Sequence, residues 1–164
     1  MRAPAPTSRQ PAKRASAGKA FVGPNGLGAH EDDFDTFRSM APLGQRRTIA
    51  AGFEAVIVER VARELLRIPV QSLLSALSLP SSTILRKIAN KDRLSQSESD
   101  RIARVLYVLD LAVELFEHKR RAAEWMMRGN AELDGLKPIE VLDVQPGYDR
   151  VRDILNRALF GGAA

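Results

Sequence analysis

From Thr48 to Arg67 apolar side chains return at steps of three and four, through Ile49, Phe53, Val56, Ile57, Val61 and Leu65. That period predicts one amphipathic helix. Its other face carries Glu54, Glu59, Arg60, Arg63 and Glu64, with Glu59–Arg63 and Arg60–Glu64 as i, i+4 pairs worth roughly 0.3 kcal/mol each. Ile68 and Pro69 end it, because the residue before a proline is pushed out of the helical region. Upstream, Phe34, Phe37 and Met40 fall at helical spacing behind Asp32 and Asp33, whose charge favours a helix start. Pro42 and Gly44 are expected to close this short element, which either clips onto the body or stays mobile.

Downstream, Val70 to Leu77 predicts a helix that buries Leu73, Leu74 and Leu77, followed by a short turn at Ser78, Leu79 and Pro80. A second helix is expected from near Ser81, whose hydroxyl suits an N-cap, to about Asn90, with Ile84, Leu85 and Ile88 inward. Two short helices joined so tightly match a helix-turn-helix. Ser82, Thr83, Arg86, Lys87 and Lys91 then point outward, residue types suited to phosphates and base edges. An ordinary helical hairpin with a basic outer face fits the same pattern.

Ser95 followed by Glu98 forms a capping box, so a strong helix starts there. Ile102, Leu106, Leu109, Val113 and Phe116 run along it, widened by Val105, Val108, Ala112 and Leu115, which makes it the core spine. Asp110, Glu114 and Glu117 on this helix are read as a solvated acidic edge. Lys119, Arg120 and Arg121 are expected to separate the spine from a two-turn helix, AAEWMM. Turn signals at Gly129-Asn130 and Asp134-Gly135 bracket Leu133. A short helix is predicted from Pro138 to Asp143, and Gly147 precedes a last helix from about Tyr148 to Phe160 with Gly161 as its C-cap. The whole reads as an all-α helical bundle in three parts: a mostly disordered, basic and flexible N-terminal segment (1–44), a helix-turn-helix-like region (45–93), and a small helical terminal domain (94–164).

Charge sharpens this picture. The net +5 is unevenly spread: the first twenty residues hold five cations and no acid, whereas residues 45–104 hold eleven cations against six acids and residues 105–164 eight against ten. Positive charge on foldable sequence therefore coincides with the helix-turn-helix unit, where an anionic partner such as DNA is met. The mildly acidic last third is left for protein.

The chain has no cysteine, which removes disulfides and thiolate chemistry and suits a reducing cytoplasm. His30 and His118 lie far apart and neither has a helical partner, so no metal site and no cofactor are expected. No nucleophile–base pair or phosphate loop is present, which argues against an enzyme. No apolar run approaches the roughly 20 residues of a membrane span and no signal-peptide core follows the basic start, so a soluble cytoplasmic protein is expected.

Several stretches together carry a family resemblance. They are Ser99-Asp100-Arg101 entering the spine, Ala123-Glu124-Trp125-Met126 with Asn130, the linker from Leu133 through Asp134-Gly135-Leu136-Lys137-Pro138-Ile139-Glu140-Val141 to Leu142, then Gly147, Val151 and Leu155, and finally Phe160-Gly161. This ordering resembles the C-terminal toxin-binding domain of the Xre/MbcA/ParS antitoxin family over about residues 94–161, and more loosely over 48–93, where the hairpin resembles a degenerate Xre-like helix-turn-helix. The segment is short of the polar amide side chains such helices often carry. The resemblance implies a dimeric type II antitoxin that binds a RES-domain toxin, an enzyme that consumes NAD or transfers ADP-ribose from it. It further implies that the end of the chain blocks the toxin's active site and that the helix-turn-helix represses its own operon on operator DNA. It places the toxin contacts at Met127, Arg128, Asn130, Arg150, Arg157, Phe160, Gly161, Gly162, Ala163 and Ala164. Trp125 is then expected to act as scaffold, packing the linker that carries Leu133 and Pro138. A stand-alone DNA-binding regulator, whose terminal domain only dimerises, is the alternative.

Overall fold

The computed structural model describes residues 33–161. Most of the basic N-terminal stretch, His30, and Gly162, Ala163 and Ala164 lie outside the described residues. The fold is helical throughout: α1 (Asp33–Ser39), α2 (Pro42–Ala51), α3 (Ile57–Arg60), a π-helical continuation (Val61–Leu66), α4 (Val70–Ala76), α5 (Ser81–Asn90), α6 (Gln96–Phe116), α7 (Lys119–Met126), 3-10 turns at Ala131–Leu133 and Pro138–Val141, and α8 (Gln145–Leu159). Among the described residues there is no strand, and Glu54 and Arg93 meet in an isolated antiparallel bridge.

The helix expected from Thr48 to Arg67 is in fact two helices. The apolar period runs through the break because Ile49 before it packs against the core, while Phe53 within it and Ile57 and Val61 after it are buried. Gly52 supplies the break with φ 85, and a Cβ there would collide with the Leu94 carbonyl. The released backbone pairs across to the segment before α6, with Leu94 donating to the Phe53 carbonyl at 2.8 Å and Ala55 to Asp92 at 3.0 Å. Pro42 does not close α1 but opens α2, where its missing N–H and fixed φ suit the first turn, and Gly44 lies inside that helix.

The short element α1 is clipped onto the body. Phe34 and Phe37 are buried, and Phe37 packs edge-on to Phe53 and stacked with Tyr107 at centroid distances of 5.4 and 5.8 Å. Arg60, expected on an outer face, turns inward to lie 4.5 Å from the Phe34 ring centroid, 3.5 Å from Asp33 and 3.2 Å from Glu64. The expected Glu59–Arg63 pair also forms, at 3.6 Å.

The spine α6 is the centre, with Ile102, Ala103, Val105, Leu106, Val108, Leu109 and Ala112 buried. Its capping box forms as the sequence requires: Ser95 Oγ accepts from the Glu98 amide at 3.2 Å and Glu98 accepts from the Ser95 amide at 2.6 Å. One turn on, the buried Ser99 hydroxyl accepts the Phe53 amide at 2.9 Å. Asp110 is not part of a solvated edge. It is half-buried and ion-paired with Arg38 of α1, while Glu114 and Glu117 are exposed. Burial pushes the Asp110 carboxyl up, Arg38 pulls it down and Asp35 adds to the rise, leaving it at about 6.

The cations Lys119, Arg120 and Arg121 do not separate two helices; they form the first turn of α7. The His118 side chain caps that helix, with Nδ1 accepting the Arg120 amide at 3.2 Å. The short helix predicted from Pro138 tightens to a 3-10 turn ending at Val141. Likewise Gly147 does not precede the last helix but lies within it, because α8 begins at Gln145 with a proline in its first turn. A Cβ at Gly147 would collide with the Val141 carbonyl, so the glycine lets α8 close onto the linker. Val151, Ile154 and Leu155 are its buried stripe, and Gly161 follows the helix with φ 66, as a C-terminal glycine should.

Two outcomes test this packing. Ser99→Ala leaves the Phe53 amide without an acceptor in the core and should cost about 1–3 kcal/mol in chemical denaturation; an unchanged midpoint contradicts it. The raised Asp110 value, against an ordinary 3.8, means that the stability this group confers is complete below its unfolded pKa and is lost as pH rises through about 6. The Tm of Asp110→Asn should therefore rise relative to the parent chain between about pH 4 and pH 7, whereas a constant difference would show that burial does not dominate there.

Candidate functional site

Two surfaces project from the spine. The first is the helix-turn-helix formed by α4 and α5. Leu73, Leu74, Leu77 and Leu79 are buried beneath it, and Ser78 takes a left-handed φ of 51 to turn the chain. Arg101 of the spine donates to the Leu77 and Ser78 carbonyls at 3.1 and 2.8 Å, fixing the end of α4. Pro80, not Ser81, occupies the cap position of α5, and the Ser81 hydroxyl instead accepts from Gln71 at 2.8 Å, tying the two helices together.

Of the five residues expected to face DNA, Ser82, Arg86 and Lys91 are exposed, Lys91 with a left-handed φ of 57 at the end of the helix. Thr83 and Lys87 are half-buried. Lys87 reaches back to the spine and donates to Glu98 at 2.6 Å. Burial acts to raise the Glu98 carboxyl, but Lys87 and the Ser95 amide outweigh it and hold the value below the ordinary one. Leu85, expected inward, is 45% exposed between Ser82 and Arg86. The helix turns by about 100° per residue, so with Ile84 at the centre of the buried stripe Leu85 is carried outward.

The second surface is built by α7, the linker and α8. Asn130 organises the linker. Its side chain accepts the Glu132 amide at 2.9 Å, its carbonyl accepts the Leu133 and Gly135 amides, and its own amide donates to Leu136 at 3.0 Å. Asn130 thus shapes the loop. Leu133 is buried beneath, and Asp134 and Gly135 turn with positive φ. Arg104 of the spine holds the far end by donating to the Leu142 carbonyl at 3.3 Å.

On α8, Arg150 and Arg157 converge on one acid, Glu132 of the linker, at 3.2 Å for Arg150 and in a close ion pair for Arg157. All three are about half exposed, so the cluster aligns the linker with α8 and adds little stability. The spacing of seven residues placed both arginines on one face, but only the fold could show that Glu132 meets them. Met127 is half-buried and lines an open groove with Ser72 and Ser75 of α4 and Lys137 and Ile139 of the linker. Arg128 is exposed, and Phe160, at 73% exposure, is the most exposed large apolar side chain described.

Trp125 is half-buried and packs against the core, and its ring meets Phe116, at the end of the spine, with centroids 6.0 Å apart. Its neighbour Met126 takes the fully buried position instead. Among the described residues, no group of three or more His, Asp or Glu side chains is placed to hold a metal ion, and no helix is long and apolar enough to cross a membrane.

These two surfaces coincide with two family models. The Antitoxin Xre-like helix-turn-helix domain matches residues 44–107, and the Antitoxin Xre/MbcA/ParS C-terminal toxin-binding domain matches residues 111–161. The first match ends and the second begins on the spine helix α6. Among curated relatives, the chain is 30% identical over 115 residues to a protein named Antitoxin Xre from Yersinia enterocolitica, covering 70% of this chain and 77% of that one. Proteins of the same name from Photorhabdus laumondii and Pseudomonas putida are 36% and 27% identical, each over 77 residues; these matches cover 46% and 47% of this chain and only 52% and 48% of the relatives. With its helix-turn-helix and toxin-binding segments joined on one spine, the chain belongs to the Xre/MbcA/ParS antitoxin family.

Proposed function

We propose that this chain neutralises a RES-domain toxin, an enzyme that consumes NAD or transfers ADP-ribose, by covering its active site with α8 and the residues that follow. The observation that carries this reading is the presentation of α8. The helix is anchored by Val151, Ile154 and Leu155, aligned by the Arg150–Glu132–Arg157 cluster, and ends in an exposed Phe160. A rigid helix with a projecting aromatic end suits insertion into a concave site, since ordering costs are met before binding. Met127, just past the end of α7, extends the contact, and Gly161 with the residues after it, Gly162, Ala163 and Ala164, is proposed to continue it. Small residues there fit a narrow entrance.

In the same reading the protein acts as a cytoplasmic homodimer and represses its own operon. The exposed Ser82 and Arg86 on α5 favour operator DNA as a further partner, with Lys91 contributing a phosphate contact. The stand-alone regulator is the competing reading, and those same exposed residues support it.

The deciding experiment is co-purification with the product of the neighbouring reading frame, combined with neutralisation assays in cells. Phe160→Ala and deletion of residues 161–164 should each weaken toxin binding, Phe160→Ala by about tenfold or more. Full protection by both variants would remove the occlusion model. For DNA, Arg86→Ala should lower operator affinity and reduce the salt slope by about one. Lys87→Ala should instead act mainly through stability, because Lys87 is engaged with Glu98. Equal losses of affinity from the two substitutions, with no change in Tm, would contradict that division.

A further inference from the structure

Trp125 is the chain's single tryptophan. With Phe116, whose ring is tilted 44° to it, it walls a notch of about 220 Å³ that Arg121, Glu124 and Arg128 complete. The charges around the notch are unequal in kind. Glu124 is ion-paired with Arg120 at 2.8 Å and also feels the charge of Arg128, whereas the Arg121 and Arg128 guanidinium groups form no hydrogen bond or ion pair among the described residues. Arg121 stands one turn before Trp125 on α7 and Arg128 lies just beyond the helix end, and all three line the notch.

A second feature points the same way. The first turn of α7 holds Lys119, Arg120 and Arg121 and no acid. Cations at that end oppose the helix dipole and weaken the helix, so Arg121 stands where helix stability disfavours it. An anionic group brought to the notch would relieve that opposition and give both guanidinium groups a hydrogen-bonding partner.

We propose that this notch is a second toxin contact, separate from the end of α8. It takes a toxin segment that lays an apolar side chain on Trp125 and Phe116 and brings carboxylates to Arg121 and Arg128. This rests on the antitoxin reading above. Aromatic and arginine side chains gathered in a partly desolvated pocket are the composition of interface hot spots. The whole notch lies within the segment matching the toxin-binding domain model, which favours the toxin over DNA as its occupant.

The test uses the full chain carrying 5-fluorotryptophan, whose one fluorine resonance reports on Trp125, with the unlabelled product of the neighbouring reading frame as the probe. The resonance should shift on complex formation. The double variant Arg121→Ala/Arg128→Ala should bind at least tenfold more weakly, with a shallower salt dependence and an unchanged helical circular dichroism signal. A resonance unmoved in the saturated complex overturns the proposal, as does wild-type affinity in the double variant. A shift that follows the concentration of the isolated chain would assign the notch to self-association and also overturn it. If Phe160→Ala weakens binding while the notch responds to nothing, the antitoxin reading stands without this contact; if the two proteins do not associate at all, both fall.

Discussion

Glu98 accepts two hydrogen bonds at 2.6 Å through the same oxygen, one from the Ser95 amide and one from Lys87. That oxygen caps the spine and also tethers α5. Within the next two turns Ser99 takes the Phe53 amide, Arg101 the carbonyls at the end of α4, and Arg104 the Leu142 carbonyl of the linker. The start of α6 is therefore where the helix-turn-helix, the α2–α3 break and the toxin-binding linker are all held in register. Hydrophobic burial supplies most of the stability, but it is non-directional. These few directed bonds decide which arrangement of apolar helices is adopted.

The consequence is a division of surfaces. On the helix-turn-helix side, a cation that reads from sequence as a DNA contact, Lys87, is turned into a structural tie. Ser82 and Arg86 stay outward with an apolar neighbour, Leu85. On the other side, the linker is shaped by Asn130 and clamped to α8 through Glu132. The exposed features of this side include Phe160 at the end of α8 and the Trp125 notch with its two arginines.

Much of this was legible in the sequence, and the failures have physical causes. The capping box and the spine's apolar stripe are local patterns, and both formed as read. The hairpin of α4 and α5 was also recovered, since a tight turn between leucine-rich segments leaves few alternatives. The break at Gly52 was hidden because periodicity reports which residues are buried and not whether the backbone is continuous. Gly147 was placed outside α8 because a helical glycine is disfavoured locally, and only the close approach of Val141 explains its use. Asp110 and Glu132 could not have been assigned, because their partners Arg38, Arg150 and Arg157 are brought to them by tertiary packing. The contact of Trp125 with Phe116 was not read from the sequence, because the two rings are brought together across the α6–α7 turn.

The central claim, that the α7–linker–α8 side is the toxin surface while α5 is reserved for another partner, is tested most directly by hydrogen–deuterium exchange of the full chain with and without the toxin it neutralises. The account predicts added protection in residues 119–161 on complex formation and unchanged exchange across Ser81–Asn90. Protection confined to α5, with α7 and α8 exchanging as in the free chain, would contradict it.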